Sequence, residues 1–202
     1  GNIENKKEAL LQPGIDWDSF DDMIAKAQVI KIIGGEPTVA PDMFKLLDRC
    51  VDSGHAEHIE ISFYTNITKM EDKWLEQLGK FKKAIVNCSL EGMGPMNDYL
   101  RPPSRWDSVW QKFDKLVKFS NTKAGKRIKV RVTTVNQITN ALHIAKFWEY
   151  MHEYQMQHDK GIAMSSNQLV EPNYYSMAYA PQWMRDEQEK QIMEFLGRIG
   201  NS

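Results

Sequence analysis

Gly34-Gly35-Glu36-Pro37 is the segment of this 202-residue chain best suited to chemistry. Two glycines let the backbone approach a ligand closely and adopt positive φ. Glu36 sets a carboxylate beside that open backbone, and Pro37 stiffens the exit and holds Glu36 extended. A carboxylate fixed in this way suits an ammonium group; a plain turn with a solvated Glu is the simpler reading. Ser89 and Arg101 form a second group. Arg101 follows Ser89 by twelve residues, across Gly92-Met93-Gly94-Pro95, and Pro102-Pro103 rigidifies its approach. A guanidinium grips a carboxylate through two parallel hydrogen bonds, and a Ser hydroxyl can add one more. The simpler reading of Arg101 is a surface side chain on a loop. Together, Glu36 and Arg101 offer an anion for an ammonium and a cation for a carboxylate. An α-amino acid group needs both.

Alternating strand and helix patterns could bring these residues together. Asp16 or Asp18 can cap a helix with Phe20, Met23, Ile24 and Ala27 on one face. Val29 to Ile33 reads as a buried strand closed by Gly34-Gly35. Pro41 suits the first turn of a helix that turns Phe44, Leu47 and Val51 inward and stops at Gly54. Strands over 58–64, 84–90, 128–135 and 162–165 follow, with helices between them over 72–78, from Ser104 as cap, and from Thr139. A last helix covers 186–199. Five alternations predict an α/β fold with a parallel sheet and right-handed crossovers. Lys129 and Arg131 alternate with apolar residues, as at an open edge. The long irregular segments are 91–103 and 165–183. Each strand ends in small or polar residues: Gly34-Gly35-Glu36, Thr65-Asn66, Ser89-Leu90-Glu91-Gly92, Thr133-Thr134-Val135-Asn136 and Ser165-Ser166-Asn167. Ligand sites in such folds lie at the carboxyl ends of the strands, so these five ends predict one rim pocket.

Composition narrows the classes. Hydrophobic residues at 42% and charged residues at 26% are globular values and exclude a disordered or fibrous chain. A net charge of −1 makes nucleic acid an improbable partner on electrostatic grounds. No apolar run is long enough to span a membrane. Two cysteines, Cys50 and Cys88, cannot form a disulfide framework, so a reducing, cytoplasmic setting is expected. The basic stretch from Lys123 to Arg131 reads as a solvated strand face, with contact to a phosphate or an acidic leader peptide as the alternative. His55 and His58 make a poor metal pair because Gly54 interrupts any helix. Tyr174, Tyr175 and Tyr179 could line a substrate entrance.

In this order the motifs resemble the radical S-adenosylmethionine superfamily, over residues 16 to 180. Ile30 to Pro37 is similar to the family's second strand and amino-group-binding loop, and Tyr64-Thr65-Asn66 to the end of its third strand. Ser89-Leu90-Glu91-Gly92 with Tyr99-Leu100-Arg101-Pro102 resembles the fourth strand and its loop, and Thr134-Val135-Asn136 the fifth strand end. Val170 to Tyr175 looks like a segment of members with a short twitch-type accessory region. The resemblance implies a partial (β/α) barrel, with about five βα units present and the first missing. It implies S-adenosylmethionine as cofactor. Gly34, Gly35, Glu36 and Pro37 would hold its amino group, Ser89 and Arg101 its carboxylate, and Thr65, Asn66 and Asn136 would lie near its ribose or adenine. It also implies reductive cleavage by a [4Fe–4S] cluster, yielding methionine and a 5′-deoxyadenosyl radical that takes a hydrogen atom from substrate.

One departure matters. The family holds its cluster with three cysteines spaced C-x3-C-x2-C, and this chain has no such motif. Truncation or a natural clusterless relative would each explain this, and truncation fits a match that starts where the cluster loop should end. The [4Fe–4S] cluster is therefore expected in the full-length protein, and this chain alone should not cleave the cofactor. The expected organisation is an N-terminal segment at 1–15, a barrel-like unit at 16–183 and a C-terminal helix at 184–202. The substrate class is open, a peptide or a small molecule, and an exposed strand at 28–33 could drive oligomerisation. A non-catalytic module binding a peptide or a nucleotide-like ligand is the alternative function.

Overall fold

The computed structural model describes residues 16–158 and 161–200; the expected segment at 1–15 lies outside them. Asp16 caps the first helix, α1 (Trp17–Lys26), accepting from the amides of Asp18 and Ser19. Strands β1 (Val29–Ile32), β2 (Glu60–Thr65), β3 (Lys83–Ser89), β4 (Ile128–Asn136) and β5 (Ala163–Gln168) alternate with helices α2 (Pro41–Asp52), α3 (Asp72–Lys80), α4 (Pro95–Leu100), α5 (Trp106–Ser120) and α6 (Ile144–Gln155). Helix α7 (Gln182–Ile199) closes the fold.

All five strands are parallel and hydrogen-bonded in chain order, β1-β2-β3-β4-β5. Right-handed crossovers taken in constant order lay the helices on one face. That face buries Ile61 and Phe63 of β2, Ala84 and Val86 of β3, and Ile128, Val130 and Val132 of β4. Alternation turns Ser62 and Tyr64, Ile85, Asn87 and Ser89, and Lys129, Arg131 and Thr133 to the other face. This singly wound sheet is a partial (β/α) barrel, as expected. Trp74, Phe63, Phe81, Phe113 and Phe147 fill the layer between helices and sheet, and each fully buried Phe contributes about 1.5–3 kcal/mol.

Several expectations need correction. β1 is not a buried strand: Val29 is 67% and Ile33 79% exposed, because among the described residues β1 pairs only with β2 and forms an edge. Lys129 and Arg131 are not at an edge, because β4 lies between β3 and β5; their charge belongs to the helix-free face. Met23 is exposed rather than on the apolar face of α1. Ser104 does not cap α5: Asp98 Oδ1, from α4, accepts the Trp106 amide at 2.5 Å. Thr139 does not open α6, which begins only at Ile144 after turns, and its buried hydroxyl has no partner among the described residues. The segment 91–103 is not wholly irregular, since it contains α4.

Candidate functional site

A cleft of about 730 Å³ opens over the carboxyl ends of β2, β3, β4 and β5. Its walls include Asn66, Glu91, Arg101, Val135, Gln137 and Leu169. Three of the five predicted strand ends thus meet in one place, and at β5 it is Leu169, beyond the predicted Ser165-Ser166-Asn167, that lines the cleft. The end of β1 bounds a separate hollow of about 280 Å³, with Gly34, Gly35, Glu36 and Pro37 against Trp17 and Phe20 of α1.

Glu36 links the two hollows. Its Oε1 accepts from the Thr65 hydroxyl at 2.6 Å and from the amide and hydroxyl of Thr38; its Oε2 accepts the Asn66 amide at 2.6 Å. The carboxylate therefore ties the exit of β1 to the exit of β2. Local backbone makes this possible. Gly34 has φ +117°, a conformation that favours glycine, and it turns the chain out of β1. Beyond Asn66, Ile67 adopts φ +62° although it is β-branched and fully buried, and its amide donates to Thr65 Oγ1 at 2.9 Å. Such a conformation costs about 1–3 kcal/mol and clusters at functional sites. Thr65 is thereby saturated and buried: it holds Glu36 and is itself turned away from the cleft. Asn66 lines the cleft, its side-chain oxygen accepting the Thr68 amide at 3.0 Å.

Among the described residues, Arg101 is one of three cations lining the cleft, with Arg105 and Lys112, and the one held by a buried carboxylate. Its Nε, at 3.2 Å, and its Nη2 both donate to Glu91 Oε1. The buried Glu91 anchors the pair further, because its Oε2 accepts the Val135 amide of β4 at 2.7 Å. The backbone of Glu91 is held as well: its amide donates to Asn97 Oδ1, and its carbonyl accepts from Asn140 Nδ2 at 2.9 Å. Asn140 also donates to the Val135 carbonyl. Glu91, Asn97 and Asn140 were not foreseen as site residues. The only signal was an acid at a strand end, ten residues before an arginine.

The remaining expected residues fall into two groups. Ser89 stands half-buried on the helix-free face, in register with Thr133, and no partner for its hydroxyl occurs among the described residues. Asn136 does not line the cleft. Its amide faces α7 and β5, donating to Gln168 and Gln188 at 3.3 Å and accepting from Gln188 at 2.8 Å. Its neighbour Gln137 reaches the cleft instead. One further polar group there is unsatisfied: the buried Ser104 hydroxyl has no partner among the described residues.

The cysteines do not form a metal site. Cys50 is buried in α2 and Cys88 in β3. Burial, with Asp21 nearby, pushes the Cys50 thiol up to about 11. Burial, with Glu36 nearby, pushes Cys88 higher still, so both are protonated at neutral pH. No group of three His, Cys, Asp or Glu suited to a metal occurs among the described residues, and His58 faces Glu57 at 3.4 Å. Tyr174, Tyr175 and Tyr179 are exposed and do not line the cleft. No helix of the described residues is long and apolar enough to cross a membrane.

The model of the radical SAM superfamily matches residues 17–140. No curated protein matches the chain. SuiB of Streptococcus suis bound to S-adenosylmethionine superposes with a TM-score of 0.60 at 19% identity, over 93% of this chain and 42% of SuiB. The protein anSMEcpe with bound AdoMet gives a TM-score of 0.61 at 16% identity, over 91% of this chain and 52% of its own. A domain of pyruvate-formate lyase-activating enzyme from Bacteroides vulgatus gives 0.53 at 8% identity, over 82% of this chain and 93% of that domain. At such identities the superpositions show a shared fold alone. The chain spans about half or less of the first two proteins.

Proposed function

We propose, from the premise that this chain belongs to the radical SAM superfamily, that its strand-end cleft binds S-adenosylmethionine by the amino-acid group. One observation carries this reading. Arg101 lines the cleft with Nε and Nη2 fixed on Glu91, while Nη1 has no partner among the described residues. A guanidinium held in this way is preorganised for a carboxylate. Ser89, whose hydroxyl has no partner among the described residues, is assigned to the same carboxylate.

The ammonium falls to the Gly34-Gly35-Glu36-Pro37 loop. A Cβ at Gly34 or Gly35 would meet nothing within 4 Å, so the backbone there is open to a ligand. Glu36 supplies negative charge while Thr65, Thr38 and Asn66 hold its carboxylate still. Asn66 faces the ribose or adenine, and Asn136 steadies the end of β4 from behind. When bound to enzymes of this superfamily, S-adenosylmethionine supplies methionine and a 5′-deoxyadenosyl radical. Iron–sulfur ligation needs three or four convergent thiolates, and two buried thiols on separate elements do not fit a cluster. None of the roles assigned here passes through one.

SuiB has been solved bound to the precursor peptide SuiA, and anSMEcpe with the Cp18Cys peptide. A peptide is accordingly the substrate class we assign, in a cytoplasmic protein with residues 16–183 as a partial radical SAM-like barrel followed by a C-terminal helix. Titration calorimetry with S-adenosylhomocysteine tests the cleft. Arg101→Ala should weaken binding about 10- to 100-fold, the scale of one charged hydrogen bond, and Arg101→Lys should recover part of it. Equal affinity in wild type and Arg101→Ala would overturn the reading and favour a non-catalytic module for a peptide or nucleotide-like ligand.

We also propose that the free edge of β1 pairs with another strand in solution. Sedimentation should show concentration-dependent association that Val29→Lys diminishes. A monomer at every concentration would refute it.

A further inference from the structure

The helix-free face of the sheet carries charge that the cofactor does not need. Lys31 of β1 and Lys129 and Arg131 of β4 all stand on it, in register with Ser62, Ile85 and Asn87 respectively. All three are exposed, and among the described residues none has an ion-pair partner. The one carboxylate that the strands place on this face is Glu60, at the amino end of β2, which already lies 3.6 Å from both Lys82 and Lys83. The strand positions in register with Lys129 and Arg131 are uncharged: Ile85 and Asn87 of β3 on one side and, beside Arg131, Ala163 of β5 on the other.

A solvated surface strand does not account for this. β4 is an interior strand, and parallel sheets are ordinarily covered on both faces. A one-signed face beside a ligand cleft concentrates counter-charge. S-adenosylmethionine is not that counter-charge: its sulfonium and ammonium outweigh its single carboxylate, so like charges repel it from these side chains. These cations suit a second, anionic ligand. Lys129 and Arg131 alternate along one strand, which sets their α-carbons about 6.6 Å apart. Alternate side chains of an extended peptide recur at the same interval, and a guanidinium takes a carboxylate through two bonds at once.

We propose that this face binds an extended, carboxylate-bearing peptide segment, with Lys129 and Arg131 as its anchors. The proposal rests on the reading of the cleft given above, because it names the class of ligand that accompanies the cofactor, although Lys129 and Arg131 stand toward the amino end of β4, outside the cleft lining. The test is fluorescence anisotropy with the full chain. The probes are labelled decapeptides of alternating Glu and Ser, Gln and Ser, or Lys and Ser. The Glu peptide should bind, and the other two should not. The K129Q/R131Q variant should weaken binding by at least about tenfold, the scale of one lost charged contact. The K123Q/K126Q variant removes two exposed cations before β4 and should bind the Glu peptide as wild type does. S-adenosylhomocysteine binding, measured in parallel, should be unchanged in K129Q/R131Q, which also establishes that this variant is folded.

Three results would overturn the proposal: equal affinity of wild type and K129Q/R131Q, an equal loss in K123Q/K126Q, or tighter binding of a single-stranded oligonucleotide than of the Glu peptide. Failure of the cleft reading looks different. There, S-adenosylhomocysteine fails to bind while the peptide still depends on Lys129 and Arg131.

Discussion

Glu91→Ala should destabilise the protein by about 3 kcal/mol, lowering Tm by roughly 6–12 °C in a domain of this size. Glu91 is buried and makes charged hydrogen bonds to two elements at once: Arg101, after α4, and the Val135 amide in β4. Alanine would leave the Val135 amide without its acceptor and free the Arg101 side chain. Arg101 is only partly buried, so water recovers part of the loss and the cost stays below that of a fully buried pair. Glu91→Gln keeps the shape, but its NH₂ faces either the Arg101 guanidinium or the Val135 amide, donor against donor, so it should still cost about 1–3 kcal/mol. S-adenosylhomocysteine affinity should fall with Glu91→Ala, because Arg101 then pays rotamer entropy on binding. A double-mutant cycle with Arg101→Ala separates this from simple packing loss: thermal melts should show a coupling of about 1–3 kcal/mol. Additivity within about 0.5 kcal/mol would remove Glu91 from its positioning role.

How much of this was legible in the sequence depends on the range of the interactions involved. The alternation of strand and helix could be read because Gly34-Gly35, Gly54 and Pro41 punctuate it and the apolar period changes between them. The rim could be read because polar residues end each strand. Other features depend on partners distant in sequence or on topology. Gly92, Gly94 and Pro95 disguise the short helix α4, whose Asp98 then caps α5 in place of Ser104. Whether β1 is buried follows from its place in the sheet, which β-branched composition cannot report. The charges of Lys129 and Arg131 signal an exposed face, and only strand order shows that this face is the helix-free side of an interior strand. Asn136 and Gln137 differ by one position, yet parity sends the first toward α7 and the second toward the cleft.

Glu36 bears the other large expected effect. Its carboxylate accepts from two hydroxyls and two amides, and these are what join the end of β1 to the end of β2. Glu36→Ala removes every acceptor together and should destabilise by about 2–4 kcal/mol, with loss of measurable S-adenosylhomocysteine binding. Glu36→Gln is the sharper probe. An amide has one oxygen and one NH₂, so it can satisfy only one side of the present arrangement. With oxygen toward Thr65 and Thr38, the NH₂ meets the Asn66 amide, donor against donor. With the amide flipped, Asn66 is satisfied and the threonine donors meet an NH₂. Either orientation should cost about 1–3 kcal/mol, even though volume and shape are unchanged. The glutamine variant should therefore melt well below wild type and bind S-adenosylhomocysteine more weakly. Wild-type melting with weakened binding would mean that Glu36 acts on the ligand by charge alone. Wild-type behaviour in both would mean that the ammonium is held by the Gly34-Gly35 backbone without it.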